Sequence, residues 1–182
     1  LLTYHCDLTL PPGPLNRLAG LAVRAANHLA ARFSDRVVSY TSDYAAHSPF
    51  LARWAAKLEV VPPPVELPLT SDQAVRALAE RLNPERRRPV IGMAARLAAE
   101  KGIEVLLAAL PLLLERHPRA VLLFAGQHAG VLGERATLER LRPAIAELQR
   151  QGCWHFAGVL GPEEMAAFYP NLDLLVVPSL NA

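Results

Sequence analysis

The sequence predicts an α/β protein built on a doubly wound parallel sheet, and three observations carry that expectation. Short apolar runs recur at residues 89–94, 120–125, 154–157 and 172–177, each apolar at consecutive rather than alternate positions. Strands buried on both faces, as in a parallel sheet covered by helices, have that composition. Between the runs lie segments whose apolar residues return every three or four positions, the period of an α-helix. Strand and helix therefore alternate, and right-handed crossovers turn that alternation into a Rossmann-like sheet with helices on both sides.

Taken in order, residues 1–4 are strand-like and lead into a loop holding Pro11, Pro12, Gly13 and Pro14. Leu15, Leu18, Ala22, Ala25, Leu29 and Phe33 then share one face of a helix, expected to pack on the core, with Arg17, Arg24, His28 and Arg32 mainly opposite. Val37, Val38 and Tyr40 mark a strand. Ser42 is placed to cap the next helix, and Ser48-Pro49 to restart it, since proline suits a first helical position. Residues 57–61 are again β-like. Pro62, Pro63 and Pro64 form a stiff connector, because consecutive prolines fix φ and remove donors. The domain boundary is placed there, dividing residues 1–64 from 65–182. Thr70 and Gln73 have the spacing of a capping box for a helix through Leu82. In the second part, helices are marked by Ile103, Leu106, Leu107, Leu110 and Leu114, by Leu138, Leu141, Ile145 and Leu148, and by residues 163–169.

Composition removes several function classes. The 182 residues are 52% hydrophobic and 20% charged, globular values, and the net charge of +2 gives no field to recruit nucleic acid. The basic run Arg86-Arg87-Arg88 beside Pro84 and Pro89 reads as a solvated linker. Cys6 and Cys153 lie far apart without a CxxC, which fits a reducing, cytoplasmic setting rather than a disulfide framework. No run approaches the roughly 20 apolar residues that span a bilayer, and no secretory leader is visible. The chain opens without methionine and stops just after a strand-like run, so it is taken as an internal piece. The six histidines show no metal-ligand spacing, and no metal site is expected.

In open parallel sheets, ligands bind beyond the carboxyl ends of the strands. After the first strand of the second part come Arg96 and Lys101, flanking a strand-to-helix loop. A planar guanidinium, an ammonium and a helix N-terminus together form a receptor for a diphosphate. The competing assignment pairs Arg96 with Glu100 and leaves Lys101 merely exposed. After the second strand, Gly126, Gly130 and Gly133 lie in a loop that is not a GxGxxG fingerprint. After the third, Gly158 and Val159 offer backbone against which a planar base can lie. Glu163 and Glu164, in the first turn of the following helix, serve its dipole rather than acid–base chemistry. His5-Cys6-Asp7 follows the first strand, where His5 is either satisfied structure or a substrate contact.

The segment Arg96-Leu97-Ala98-Ala99-Glu100-Lys101-Gly102 resembles the phosphate-binding RLxxEKG stretch of family-four retaining glycosyltransferases, the glycosyl transferases group 1, which have the two-domain GT-B fold. The likeness extends to residues 5–9, to residues 38–42 with Ser48, to residues 60–65 at the interdomain crossing, to residues 156–159 at the base-contacting loop, and to residues 173–179 before the catalytic loop. It implies part of an N-terminal Rossmann-like, acceptor-side domain followed by most of a C-terminal nucleotide-sugar-binding domain. It also implies that Arg96 and Lys101 hold the donor diphosphate, that Gly126, Gly158 and Val159 line the donor site, and that His5 faces the donor sugar. The implied reaction moves a sugar, with retention, from a UDP-, GDP- or ADP-sugar to a sugar, lipid-linked or small-molecule acceptor. Two departures stand out. Ala95 replaces the family's glycine before the arginine, and the family's glutamate pair is not reached by residue 182, so the piece alone is expected to be inactive.

Two other readings share the same sheet and diphosphate site: a nucleotide-sugar epimerase and a non-catalytic nucleotide-binding module. Acceptor-dependent sugar transfer separates them from a transferase. The helix with Arg17, Arg24 and Arg32 also has the make-up of a surface that attracts anionic lipid, which would place the protein peripherally at the inner face of the cytoplasmic membrane.

Overall fold

The computed structural model describes residues 1–8, 10, 12–66 and 68–180. It divides into two compact units, Leu1–Glu66 and Leu67–Ala182.

The first unit holds three parallel strands in the order β1 (Leu2–Thr3), β2 (Val37–Ser39) and β3 (Leu58–Val60). Its helices are α1 (Pro14–Phe33), α2 (Ser42–His47) and α3 (Pro49–Arg53). Tyr4, Ala31, Val37, Ala45, Phe50 and Leu51 form its core, with the Tyr4 and Phe50 rings stacked at 4.0 Å. The cap of α2 is Thr41 rather than the expected Ser42. Its hydroxyl oxygen accepts the Tyr44 N–H at 3.1 Å, one residue earlier because Thr41 is the last residue in extended conformation. Ser48 caps α3 as anticipated, accepting the Leu51 N–H at 3.3 Å. Lys57 Nζ donates to the carbonyls of Ala31, Arg32 and Ser34, filling acceptors that the end of α1 leaves open.

Helix α1 corrects the sequence expectation about which face is covered. Leu15, Leu18, Leu29 and Phe33 are 77%, 66%, 58% and 78% exposed. The face turned inward instead carries Asn16, Gly20, Val23, Asn27 and the fully buried Ala31. Helical periodicity identifies an apolar stripe but not the stripe a sheet will cover. Ala31 packs into the core with Tyr4, Val37 and Leu51, whereas a side chain at Gly20 would meet only that of Arg24.

The second unit is a parallel sheet in the order β6-β5-β4-β7, with β4 (Val90–Ala94), β5 (Val121–Ala125), β6 (Trp154–Gly158) and β7 (Leu174–Leu175). Helices α5 (Ile103–Arg116) and α6 (Arg135–Arg150) cover one face; α4 (Asp72–Leu82) and α7 (Pro162–Phe168) cover the other. The alternation of side chains along β5 shows why. Leu122 and Phe124 pack with Leu106, Leu110, Leu141, Ile145 and Trp154, while Val121, Leu123 and Ala125 pack with Leu78, Leu82, Ala167 and Phe168. Every residue of β5 is buried, as the unbroken apolar run anticipated.

Three details differ from the sequence reading. The cap of α4 is Ser71, which accepts the Ala74 N–H at 3.1 Å, so the Thr70–Gln73 box does not form. The expected strand over 172–177 pairs as strand only at Leu174–Leu175, although Asp173 and Val176 extend the contact by donating to Val90 O and Gly92 O. Pro178, with no N–H, cannot prolong it. Within the basic run, Arg87 is not solvated: its side chain is 14% exposed and donates to Gln151 O, Pro118 O and Cys153 Sγ, tying together segments that flank β5 and β6.

Candidate functional site

The carboxyl ends of β4, β5 and β6 meet at one edge of the second sheet, and backbone hydrogen bonds stitch together the loops that leave them. Ala95 N–H donates to Ala125 O at 2.9 Å, Leu97 N–H to Gln127 O at 2.8 Å, and Gly126 N–H to Gly158 O at 2.7 Å. Arg96, Lys101, Gly126 and Gly158 thus belong to one edge, with the exposed Val159 beside Gly158. Nothing lies within 4 Å of where a side chain would stand at Gly158, so the backbone there faces open space.

The loop after β4 is anchored by apolar side chains and turned by glycine. Leu97 and Ala98 are buried, while Arg96 beside them stays exposed. Ala99–Lys101 form a 3₁₀ turn, and Gly102, at φ 70°, swings the chain into α5. A Cβ at Gly102 would stand 1.9 Å from Pro178 O. Only glycine combines that left-handed φ with that approach. Gly126 is constrained in the same way, at φ 137° with Ala95 O 2.0 Å from a would-be Cβ, so it lets two loops touch before any ligand is considered.

The structure bears on the competing assignment: the Arg96–Glu100 pair forms, but Lys101 is not merely exposed. Arg96 Nη2 donates to Glu100 Oε1 at 3.2 Å, with side chains 58% and 35% exposed. Exposed pairs of this kind contribute about 0–1 kcal/mol, so a multiply charged anion can displace Glu100 from the guanidinium. Lys101 is half-buried and makes no ion pair among the described residues. Glu134 enters unannounced by any sequence motif: its Oε2 accepts the Ala99 N–H at 3.2 Å, from 35 residues away. Glu164 accepts from Arg81 and from the Gly161 N–H, and these contacts, the Arg81 one foremost, hold its carboxyl below the usual range. That engagement agrees with a structural role at the start of α7.

In the first unit, His5 follows β1, with its Nε2 3.5 Å from the Tyr40 hydroxyl and the two rings edge to face at 5.0 Å. Asp7 is the better-anchored neighbour. Tyr4 and Tyr44 donate their hydroxyls to its two oxygens at 3.0 and 2.8 Å. Burial pushes the Asp7 carboxyl up, but hydrogen bonds from Ser48, Tyr44 and Tyr4 together outweigh it and hold the carboxyl below its ordinary value. A groove of about 450 Å³ beside it is lined by Asp7, Arg24, Asn27, His28 and Arg53, among others. No group of three or more metal-ligating side chains occurs among the described residues.

A parallel sheet wound on both faces, with a cationic loop and glycine-turned crossovers at its carboxyl edge, defines a domain of the doubly wound α/β class. The model of the family "Glycosyl transferases group 1" matches residues 75–182, and the chain belongs to that family. Among curated proteins, a D-inositol 3-phosphate glycosyltransferase of Corynebacterium jeikeium is 36% identical over 129 residues, 68% of this chain and 30% of the relative. A D-inositol 3-phosphate glycosyltransferase of Segniliparus rotundus is 31% identical over 175 residues, 92% of this chain and 36% of the relative. The chain thus spans about a third of the length of the curated relatives it matches. Among solved structures, Anabaena HepE in complex with UDP and glucose superposes with a TM-score of 0.72 at 21% identity, over 98% of this chain and 46% of that one. Sucrose-phosphate synthase from Thermosynechococcus elongatus gives 0.66 at 23%, over 97% and 43%. These neighbours establish the GT-B type of fold.

Proposed function

We propose that the protein transfers a sugar, with retained configuration, from a nucleoside-diphosphate sugar to an acceptor, and that residues 65–182 hold the donor. The observation that carries this reading is the pairing of Arg96 and Lys101 on a loop fixed at the carboxyl end of the central strand β4, with one cation held only by an exposed pair and the other by none among the described residues. As the glycosidic bond breaks, negative charge collects on the leaving diphosphate. Cations already in place stabilise that charge in the transition state without reorganising. The open backbone at Gly158 and Val159 supports a base lying there, Gly126 packs the adjoining loop, and the family resemblance gives His5 a role toward the donor sugar. HepE was solved with UDP-glucose and starch synthase IV with ADP and acarbose, which makes UDP the first donor nucleotide to try, ahead of ADP and GDP. The relatives' names make inositol phosphate the first acceptor.

Calorimetric titration of the intact protein with UDP, GDP and ADP tests the site. Arg96→Ala and Lys101→Ala should each weaken the preferred diphosphate by about ten- to a hundredfold, the worth of a charge-assisted contact. Normal binding by both variants would refute the site.

A second reading concerns α1. It carries Arg17, Arg24 and Arg32 with no acidic residue, and its exposed Leu15, Leu18 and Phe33 support contact with an anionic membrane surface.

A further inference from the structure

We infer that Glu134 is a positioning residue for Lys101, an inference that rests on the donor-diphosphate reading above. Among the described residues, Glu134 is the only one whose side chain bonds the backbone of the loop 94–102. The other anchors of that loop are backbone to backbone: Ala95 and Leu97 donate to Ala125 O and Gln127 O, and Glu100 O accepts the Leu180 N–H at 3.0 Å. Ala99, where Glu134 binds, opens the three-residue turn that ends on Lys101, and Gly102 closes it against Pro178. Lys101 therefore sits between one point fixed by Glu134 and one fixed by the chain after β7.

Glu134 is itself well held. Its N–H donates to Val131 O at 3.2 Å, and its carbonyl accepts the Leu138 N–H at 2.9 Å as the first bond of α6. The side chain is half-buried at the wall of a small pocket shared with Leu97, His128, Val131 and Leu138, and the His128 ring stacks on Phe156 at 4.0 Å. A carboxylate leaving from the start of one helix to the turn before another fixes the turn without filling the site. It does so as a hydrogen-bond acceptor, a role that an amide oxygen also performs.

The test compares UDP binding and thermal midpoint in the intact protein for wild type, Glu134→Ala, Glu134→Gln and Lys101→Ala. Glu134→Ala should weaken UDP about three- to tenfold and lower the midpoint by no more than one lost hydrogen bond accounts for. Glu134→Gln keeps the acceptor and should bind UDP as wild type does. A Glu134→Ala protein that binds normally overturns the inference; so does a Glu134→Gln protein as weak as Glu134→Ala. If Lys101→Ala leaves UDP binding intact, Lys101 does not hold the diphosphate and this inference falls; the donor reading itself falls only if Arg96→Ala binds normally as well.

Discussion

The Tyr44 hydroxyl and the Asp7 carboxylate are joined at 2.8 Å across 37 positions of sequence, and Tyr4 completes the clamp on the other oxygen at 3.0 Å. The clamp ties the loop after β1 to helix α2. It also raises both phenols above their ordinary range, burial leading and the Asp7 hydrogen bond following.

Removing one donor, in Tyr44→Phe, should destabilise the first unit by about 0.5–1.5 kcal/mol. The pH dependence has a definite sign. The folded Asp7 carboxyl lies below its unfolded value near about 3.9, so its contribution is full above that value and is lost as pH falls through the folded one. Urea denaturation of wild type and Asp7→Asn should therefore differ most at pH 7 and converge toward pH 2. A difference that grows in acid would show the sign to be wrong.

Glu100→Gln frees the Arg96 guanidinium from an exposed pair. UDP should then bind about two- to fivefold more tightly, the measured range for such pairs read as competition. Raising the salt concentration should narrow the gap between variant and wild type. Equal or weaker binding by the variant at low salt would mean that Glu100 does not compete with the ligand.

Gly102→Ala should be costly to the second unit. The left-handed φ alone costs about 1–2 kcal/mol with a Cβ, and the Pro178 carbonyl must also move. A shifted urea midpoint with unchanged slope is the expected readout; an unmoved midpoint would show that the Pro178 segment yields freely.

Vesicle co-sedimentation tests the surface of α1. The double variant Arg17→Ala/Arg24→Ala should bind phosphatidylserine-containing vesicles about ten- to thirtyfold more weakly at low salt, from roughly 1 kcal/mol per basic residue. Wild type that sediments equally with neutral and anionic vesicles would remove the membrane reading.

Much of this fold was legible in the sequence because burial on both faces leaves an unbroken apolar run, and β4, β5 and β6 stand where such runs stand. The Arg96–Lys101 loop drew attention through its place after the first strand of the second part and its resemblance to the RLxxEKG stretch, and it leaves the carboxyl end of β4. Capping residues were misplaced by one, at Thr41 and Ser71, since adjacent Thr and Ser residues have the same side-chain chemistry and only the local φ and ψ choose between them. The stripe on α1 was misassigned because period does not encode which face meets a sheet. Glu134 was invisible for a different reason: its partner is a backbone N–H 35 residues away, a contact that leaves no trace in spacing.

The bond from Leu180 N–H to Glu100 O gives the protein an internal gauge. That amide is protected only while the segment after β7 rests on the turn between Glu100 and Gly102. Its hydrogen exchange rate therefore reports on the seating of that turn without a label, a ligand analogue or a substitution near the cations. A donor that firms the turn slows the exchange, and one that lifts it speeds the exchange, so a single backbone proton distinguishes a tightening site from an opening one.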